Sequence, residues 1–142
     1  MVKVAFIFPG QGSQYVGMGR EFYERYDEPR EIINQANEIL GYDLKEKIFF
    51  GPEEELQQTL ITQPAVFTTS VACLEVLQRA GSHSLQEVLN PKIVAGHSLG
   101  EYTALVAAGV LNFPQGLALV QKRAQFIHNV SQERPGGMAA II

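Results

Sequence analysis

The residues Gly96-His97-Ser98-Leu99-Gly100 form a G-x-S-x-G, with a hydroxyl nucleophile between two glycines. The apolar run Ile93-Val94-Ala95 precedes it and an apolar stretch from Glu101 follows. Strand, sharp turn and helix in that order lift a serine hydroxyl off a sheet and aim a helix N-terminus at it. The glycines allow the turn and the close passage of neighbouring backbone. The chemistry that fits is acyl transfer through a seryl ester. The competing reading is a glycine-rich turn with an inert serine.

A second segment, Pro9-Gly10-Gln11-Gly12-Ser13-Gln14, directly follows the first apolar run. A dinucleotide fingerprint needs glycine where Tyr15 stands, and no Walker lysine follows. Phosphate cradling is therefore disfavoured. A seryl acyl-transfer site needs an oxyanion hole, built from the N–H after the nucleophile and one from a loop after another strand. Leu99 and the Gly10-Gln11-Gly12 loop fit those two positions; a purely structural turn fits the second equally well.

The serine also needs a base. His97 adjoins Ser98, and neighbours on a tight elbow point apart, so it suits the pocket wall better than proton transfer. His83 falls in a polar connector and His128 on a helix surface. In the usual elbow order the base follows the serine well downstream, which puts it beyond Ile142. Cys73, inside an apolar helix, reads as core.

Taken together, Phe8-Pro9-Gly10-Gln11-Gly12-Ser13-Gln14, Thr62-Gln63-Pro64-Ala65, Gly96-His97-Ser98-Leu99-Gly100-Glu101-Tyr102, Lys122-Arg123-Ala124 and Gly137-Met138-Ala139-Ala140-Ile141-Ile142 resemble the malonyl-CoA:acyl carrier protein transacylases. The likeness runs the length of the chain. Glu101-Tyr102 resembles the stand-alone bacterial enzymes more than the acyltransferase domains of polyketide synthases. The resemblance implies an α/β-hydrolase-like large subdomain with a nucleophile elbow and a small ferredoxin-like subdomain. It implies ping-pong transfer of a malonyl group from malonyl-CoA to the pantetheine thiol of acyl carrier protein, in fatty acid biosynthesis, with no metal or redox cofactor.

By position, Ser98 matches the nucleophile, and Gln11 and Leu99 match the oxyanion-hole residues. Arg123 matches the arginine that binds the malonyl carboxylate, and His97 matches the residue before the nucleophile. The catalytic histidine of such enzymes lies in a second half, and members run to roughly twice this length, at the large end of single-domain sizes. The expectation is an N-terminal piece, inactive alone: 1–133 in the large subdomain and 134–142 as the first strand of the small one. The bare apolar ending Ala139-Ala140-Ile141-Ile142 agrees with a cut. The rival readings are a polyketide-synthase acyltransferase domain, a serine thioesterase or esterase, and an inactive scaffold piece. Without the resemblance, Arg123 reads as a solvated arginine on an amphipathic helix whose buried side holds Ala118, Leu119, Phe126 and Ile127.

The elements that must position these residues follow from periodicity. Val2 to Phe8 reads as a strand buried on both faces, as in a parallel sheet, and Pro9 to Gly19 as a loop with a helix starting in its second half. Glu28 to Leu40 is amphipathic, with Pro29 near its start and Gly41 past its end. Pro52 to Leu60 reads as a short polar helix, and Ala65 to Ala80, opened by Pro64 and closed by Gly81, as a helix buried on most sides. Ser84-Leu85-Gln86-Glu87 is a capping box for a short helix ended by Asn90-Pro91. Ile93 to Ala95 is a second buried strand. Helices over Glu101 to Ala108 and Pro114 to about Gln132, the latter capped by Asn112, precede a break at Arg134-Pro135-Gly136-Gly137 and a strand at Met138 to Ile142. Strands separated by helices predict a mostly parallel α/β sheet.

Composition sets the outer bounds. At 142 residues, 46% hydrophobic and 18% charged, the chain has the profile of one ordinary globular domain. Eleven Lys and Arg against fifteen Asp and Glu leave a net charge of −4, which argues against a dedicated nucleic-acid binder. The single cysteine excludes an internal disulfide and a Cys-rich zinc site. No apolar run reaches the roughly 18 residues of a membrane span, and Pro9-Gly10 ends the first apolar run without a signal-peptide cleavage pattern. The location expected is cytoplasmic.

Overall fold

The computed structural model describes residues 3–79, 91–134 and 136. The expected strand at Met138–Ile142, the capping box at 84–87 and His83 lie outside the described residues. Two strands, β1 (Ala5–Phe8) and β2 (Ile93–Gly96), pair in parallel, with Ala5 opposite Ile93 and Phe8 opposite Gly96. Between them come α1 (Arg20–Arg25), α2 (Asp27–Leu40), α3 (Leu44–Phe50), α4 (Glu53–Leu56) and α5 (Thr59–Arg79). After β2 come α6 (Gly100–Ala107) and α7 (Phe113–Glu133). A parallel pair joined through helices is an α/β arrangement.

The expectations that the first strand is buried on both faces and that the second is a buried strand are corrected. Phe6, Phe8 and Val94 turn inward, onto Leu74 of α5 and Ala104 and Ala107 of α6. Ile7 and Ile93 turn outward and are 77% and 65% exposed. Successive strand residues point to opposite faces, and among the described residues helices cover only one of them.

The main core lies among the helices. Ile33, Ala36 and Leu40 of α2 and Leu44, Ile48 and Phe49 of α3 meet Ala65, Val66, Phe67 and Val71 of α5 and Phe113, Leu117 and Val120 of α7. The rings of Phe67 and Phe113 stack at 5.7 Å, with planes 6° apart. Gly116 permits this approach, because a Cβ there would stand 2.5 Å from Phe67 Cζ.

Several element boundaries move. α1 begins past the glycine loop, after Gly19 in the left-handed region. The expected helix 52–60 ends at Leu56, and Thr59 and Leu60 belong to α5. α5 starts five residues before Pro64 and runs through it. Proline removes one helical donor and crowds the carbonyl four residues back. Here Thr62 Oγ1 donates to Leu56 O at 2.6 Å, and residues 62–69 are all buried, so packing holds the turn in place. α5 is apolar enough in composition to cross a membrane, and its burial within the helical core accounts for that composition. The sequence reading passed over α3, although Asp43 signals it by accepting from Glu46 N at 3.0 Å.

The buried side of α7 is also corrected: it carries Phe113, Gly116, Leu117, Val120 and Ala124, while Leu119, Phe126 and Ile127 are exposed, as is Ala118. The spacing i, i+3, i+4, i+7 from Phe113 faces α5, and the expected set falls on the other side. Asn112 caps the helix as expected: it accepts from Gln115 N at 2.9 Å, and Gln115 Oε1 accepts from Asn112 N at 3.1 Å.

Candidate active site

Ser98 sits between the C-terminal end of β2 and the first turn of α6. It is the one non-glycine residue with positive φ among the described residues, at 53°. An L-residue in that region carries strain of about 1–2 kcal/mol. The surrounding backbone enforces it. Gly100 N donates to His97 O at 2.9 Å, and Glu101 N donates to Ser98 O at 3.3 Å. A Cβ at Gly96 would fall 2.0 Å from Gly100 C, and one at Gly100 would fall 2.3 Å from Phe8 O. Both glycines of the G-x-S-x-G are therefore steric requirements. Leu99 is fully buried, while Ser98 is exposed.

His97 N donates to Phe8 O at 3.0 Å, extending the ladder by one residue. Its side chain lies over Gly10, where an added Cβ would stand 3.1 Å from His97 Nδ1 and 2.5 Å from His97 O. That contact brings the glycine loop after β1 against the elbow. The loop is closed by Ser13, whose N and Oγ both donate to Gly10 O, at 3.3 and 2.8 Å. Among the described residues, the backbone N–H groups of Gln11 and Leu99 donate to no protein acceptor.

Arg123, half-buried on α7, reaches Ser98 across the site. Its Nη2 donates to Ser98 Oγ at 3.0 Å and its Nη1 to Gln63 Oε1 at 2.7 Å. Gln63, on α5, has no exposed surface. Its Nε2 stands 3.4 Å from Gln11 Oε1, and Gln11 Nε2 donates to Thr59 Oγ1 at 3.3 Å. Spacing alone left open which way Arg123 points. The fold brings Ser98, Leu99, Arg123, His97 and Gln11 to one place.

Two groups were missed as site residues: the buried Gln63 amide and the side chain of Gln11. The signal for Gln63 was the polar pair Thr62-Gln63 inside an otherwise apolar run, Ile61 to Phe67. No histidine hydrogen-bonds to Ser98 among the described residues; His128 is half-buried on α7. Cys73, expected in the core, is instead half-buried at the edge of a groove, and the burial it has pushes its thiol up. An open groove of about 490 Å³ runs beside β1, lined by Ile7, Tyr15, Met18, Phe22 and Cys73 among others, but neither Ser98 nor Arg123 borders it. Strain at Ser98 and the polar chain leading to it make the elbow, rather than this apolar groove, the candidate site.

The acyl transferase domain family matches residues 5–142. The malonyl CoA-acyl carrier protein transacylase of Bacillus subtilis is 45% identical over the whole of this chain, which covers 43% of that protein. An acyl carrier protein S-malonyltransferase from Vibrio cholerae superposes with a TM-score of 0.83 at 45% identity, over 96% of this chain and 42% of that one. A malonyl-transacylase solved in complex with a type II PKS acyl-carrier protein has a TM-score of 0.83 at 40% identity, over 96% of this chain and 41% of that one. The chain thus spans less than half the length of the curated relatives it matches. With a strained serine on a strand–turn–helix elbow and a family match over nearly its full length, the chain belongs to the acyl transferase domain family.

Proposed function

We propose that the protein carrying this chain transfers a malonyl group from malonyl-CoA to the pantetheine thiol of acyl carrier protein through an ester on Ser98. The observation that carries this reading is the 3.0 Å contact between Arg123 Nη2 and Ser98 Oγ. A malonyl group differs from an acetyl group by one carboxylate. A guanidinium beside the nucleophile is the group that reads that difference, since its planar fork matches a carboxylate. A thioesterase or esterase has no need of it.

In the first half-reaction Ser98 Oγ attacks the thioester carbonyl and its proton passes to a base. The carbonyl oxygen becomes an oxyanion, received by the free N–H groups of Gln11 and Leu99. The C–S bond then breaks, and the proton leaves with the CoA thiol. In the second half-reaction the pantetheine thiol attacks the seryl ester and Ser98 recovers its proton. His97 lines the acyl pocket. The base is a histidine in the part of the relatives' length that this chain does not span; with it absent, the chain alone turns over slowly or not at all.

On this reading the described residues up to Glu133 belong to an α/β-hydrolase-like subdomain. Fatty acid biosynthesis in the cytoplasm is the setting. A type II polyketide pathway is the second reading, favoured by the carrier-protein complex of the structural relative. The test is to mix the full-length protein with malonyl-CoA, quench, and map the adduct by mass spectrometry. The expected result is a malonyl ester on the peptide holding His97 to Tyr102, absent in Ser98→Ala. An adduct that persists in that variant, or that maps to Cys73, overturns the assignment.

A further inference from the structure

We infer that Gln63 is a positioning residue for acyl selection: its buried amide fixes the Arg123 guanidinium beside Ser98 and ties it to the Gln11 loop. The inference rests on the transacylase reading and deepens it. The argument is one of hydrogen-bond direction. An arginine only donates, so the oxygen of Gln63 must face Nη1, at 2.7 Å. That turns Gln63 Nε2 toward Gln11, whose oxygen lies 3.4 Å away. Gln11 must then present its own Nε2 outward, and it meets Thr59 Oγ1 at 3.3 Å. One orientation of both amides satisfies the chain Arg123 to Gln63 to Gln11 to Thr59. Flipping either would set donor against donor or acceptor against acceptor.

Burial gives this arrangement its force. Gln63 has no exposed surface, so water does not compete for its amide while the partners are in place, and an unmade bond there is expensive. Gln63 takes Nη1 and leaves Nη2 over Ser98, the side on which an acyl group would be held. The same amide contacts the residue whose backbone N–H belongs to the proposed oxyanion hole. Gln63 thus couples recognition of the distal carboxylate to the loop that receives charge at the reacting carbonyl. It touches neither the nucleophile nor, on this geometry, the reacting atoms.

The test compares Gln63→Leu and Gln63→Glu in the full-length protein, using kcat/KM for malonyl-CoA and for acetyl-CoA. Leucine keeps the bulk and removes both polar groups. Glutamate keeps the shape but sets a second carboxylate against Arg123, in competition with that of the substrate. In Gln63→Leu the malonyl-to-acetyl ratio should fall about three- to tenfold, the effect of one ordinary hydrogen bond, with the change in KM for malonyl-CoA. In Gln63→Glu the ratio should fall further. A merely structural role would depress both substrates together and leave the ratio in place. A folded Gln63→Glu with the wild-type ratio overturns the inference, even if Gln63→Leu does not fold. Wild-type protein that transfers no malonyl overturns the transacylase reading instead. In that event the Arg123 guanidinium nitrogens, followed by NMR, still decide the positioning role. Distinct Nη1 and Nη2 resonances in the wild type should merge in Gln63→Leu, or in Gln63→Met where the leucine variant does not fold, if the Gln63 oxygen pins the group, and unchanged resonances in a folded variant refute it.

Discussion

Replacing Arg123 by alanine separates two jobs that this side chain holds at once. One is structural: Nη1 satisfies the oxygen of a fully buried glutamine at 2.7 Å. Its loss leaves that oxygen without its donor, a penalty of about 1–3 kcal/mol. Arg123 is itself half-buried, and water entering the space left by the side chain offsets part of it, so the lower half of that range is expected. The other job, on the transacylase reading, is recognition. A charge-assisted hydrogen bond to the malonyl carboxylate contributes about 1.5–3 kcal/mol net, or roughly 10- to 150-fold in specificity. Solvent reaching the exposed Ser98 again favours the low end, so the expected fall in kcat/KM for malonyl-CoA is about tenfold or somewhat more. Acetyl-CoA, with no carboxylate to place, should lose much less. Arg123→Lys should restore charge without the fork and recover part of the preference. The assay is the ratio of the two kcat/KM values in full-length protein, with a denaturant midpoint on each variant to remove the structural component. A folded Arg123→Ala that keeps the wild-type malonyl-to-acetyl ratio refutes the reasoning, and the 3.0 Å contact with Ser98 is then a resting-state contact with no part in selection.

Two further perturbations probe the scaffold. Gly100→Ala would drive a Cβ to 2.3 Å from Phe8 O and 2.7 Å from Pro9 O; both are backbone atoms, so β1 and the elbow must separate, and a loss of about 1–3 kcal/mol is expected in chemical denaturation, an unchanged midpoint being the contrary result. Tyr42 has a buried hydroxyl with no hydrogen-bond partner among the described residues, and burial pushes its pKa up to about 12. The folded state therefore favours the neutral phenol: the benefit is complete below pH 10 and is lost as the pH rises toward 12. Tyr42→Phe should equal or exceed the wild type in stability at neutral pH, by up to about 1 kcal/mol. It should also flatten the decline in stability between pH 10 and 12, and an undiminished decline in the variant would assign that titration to another group.

Local signals were enough for the elements whose ends carry their own chemistry. Gly41 ends α2 in the left-handed region, and Asn112 with Gln115 starts α7. Such caps act within four residues, so a reader of sequence finds them. The G-x-S-x-G between an apolar run and a helix is local in the same sense, and the strain at Ser98 follows from backbone packed between Gly96 and Gly100. The boundaries that moved were decided by packing. Pro64 reads as a helix start because it lacks a donor, yet the burial of Thr62 and Gln63 carries α5 back to Thr59.

The sequence by itself determined the G-x-S-x-G in its strand–turn–helix setting, the parallel α/β order and the motif set that places the chain among acyl transferases. Each of these is a matter of residue type and near spacing. Tertiary structure alone decided that Arg123 turns toward Ser98, because α7 could bury either of two apolar sides. The helix presents Phe113, Leu117, Val120 and Ala124 to its neighbours and leaves Phe126 69% exposed. Tertiary structure also decided that Gln63 and Gln11, 52 positions apart, share one hydrogen-bond chain. A glutamine amide carries no spacing rule, and its direction becomes fixed only when burial removes water as a partner and a donor-only arginine takes its oxygen.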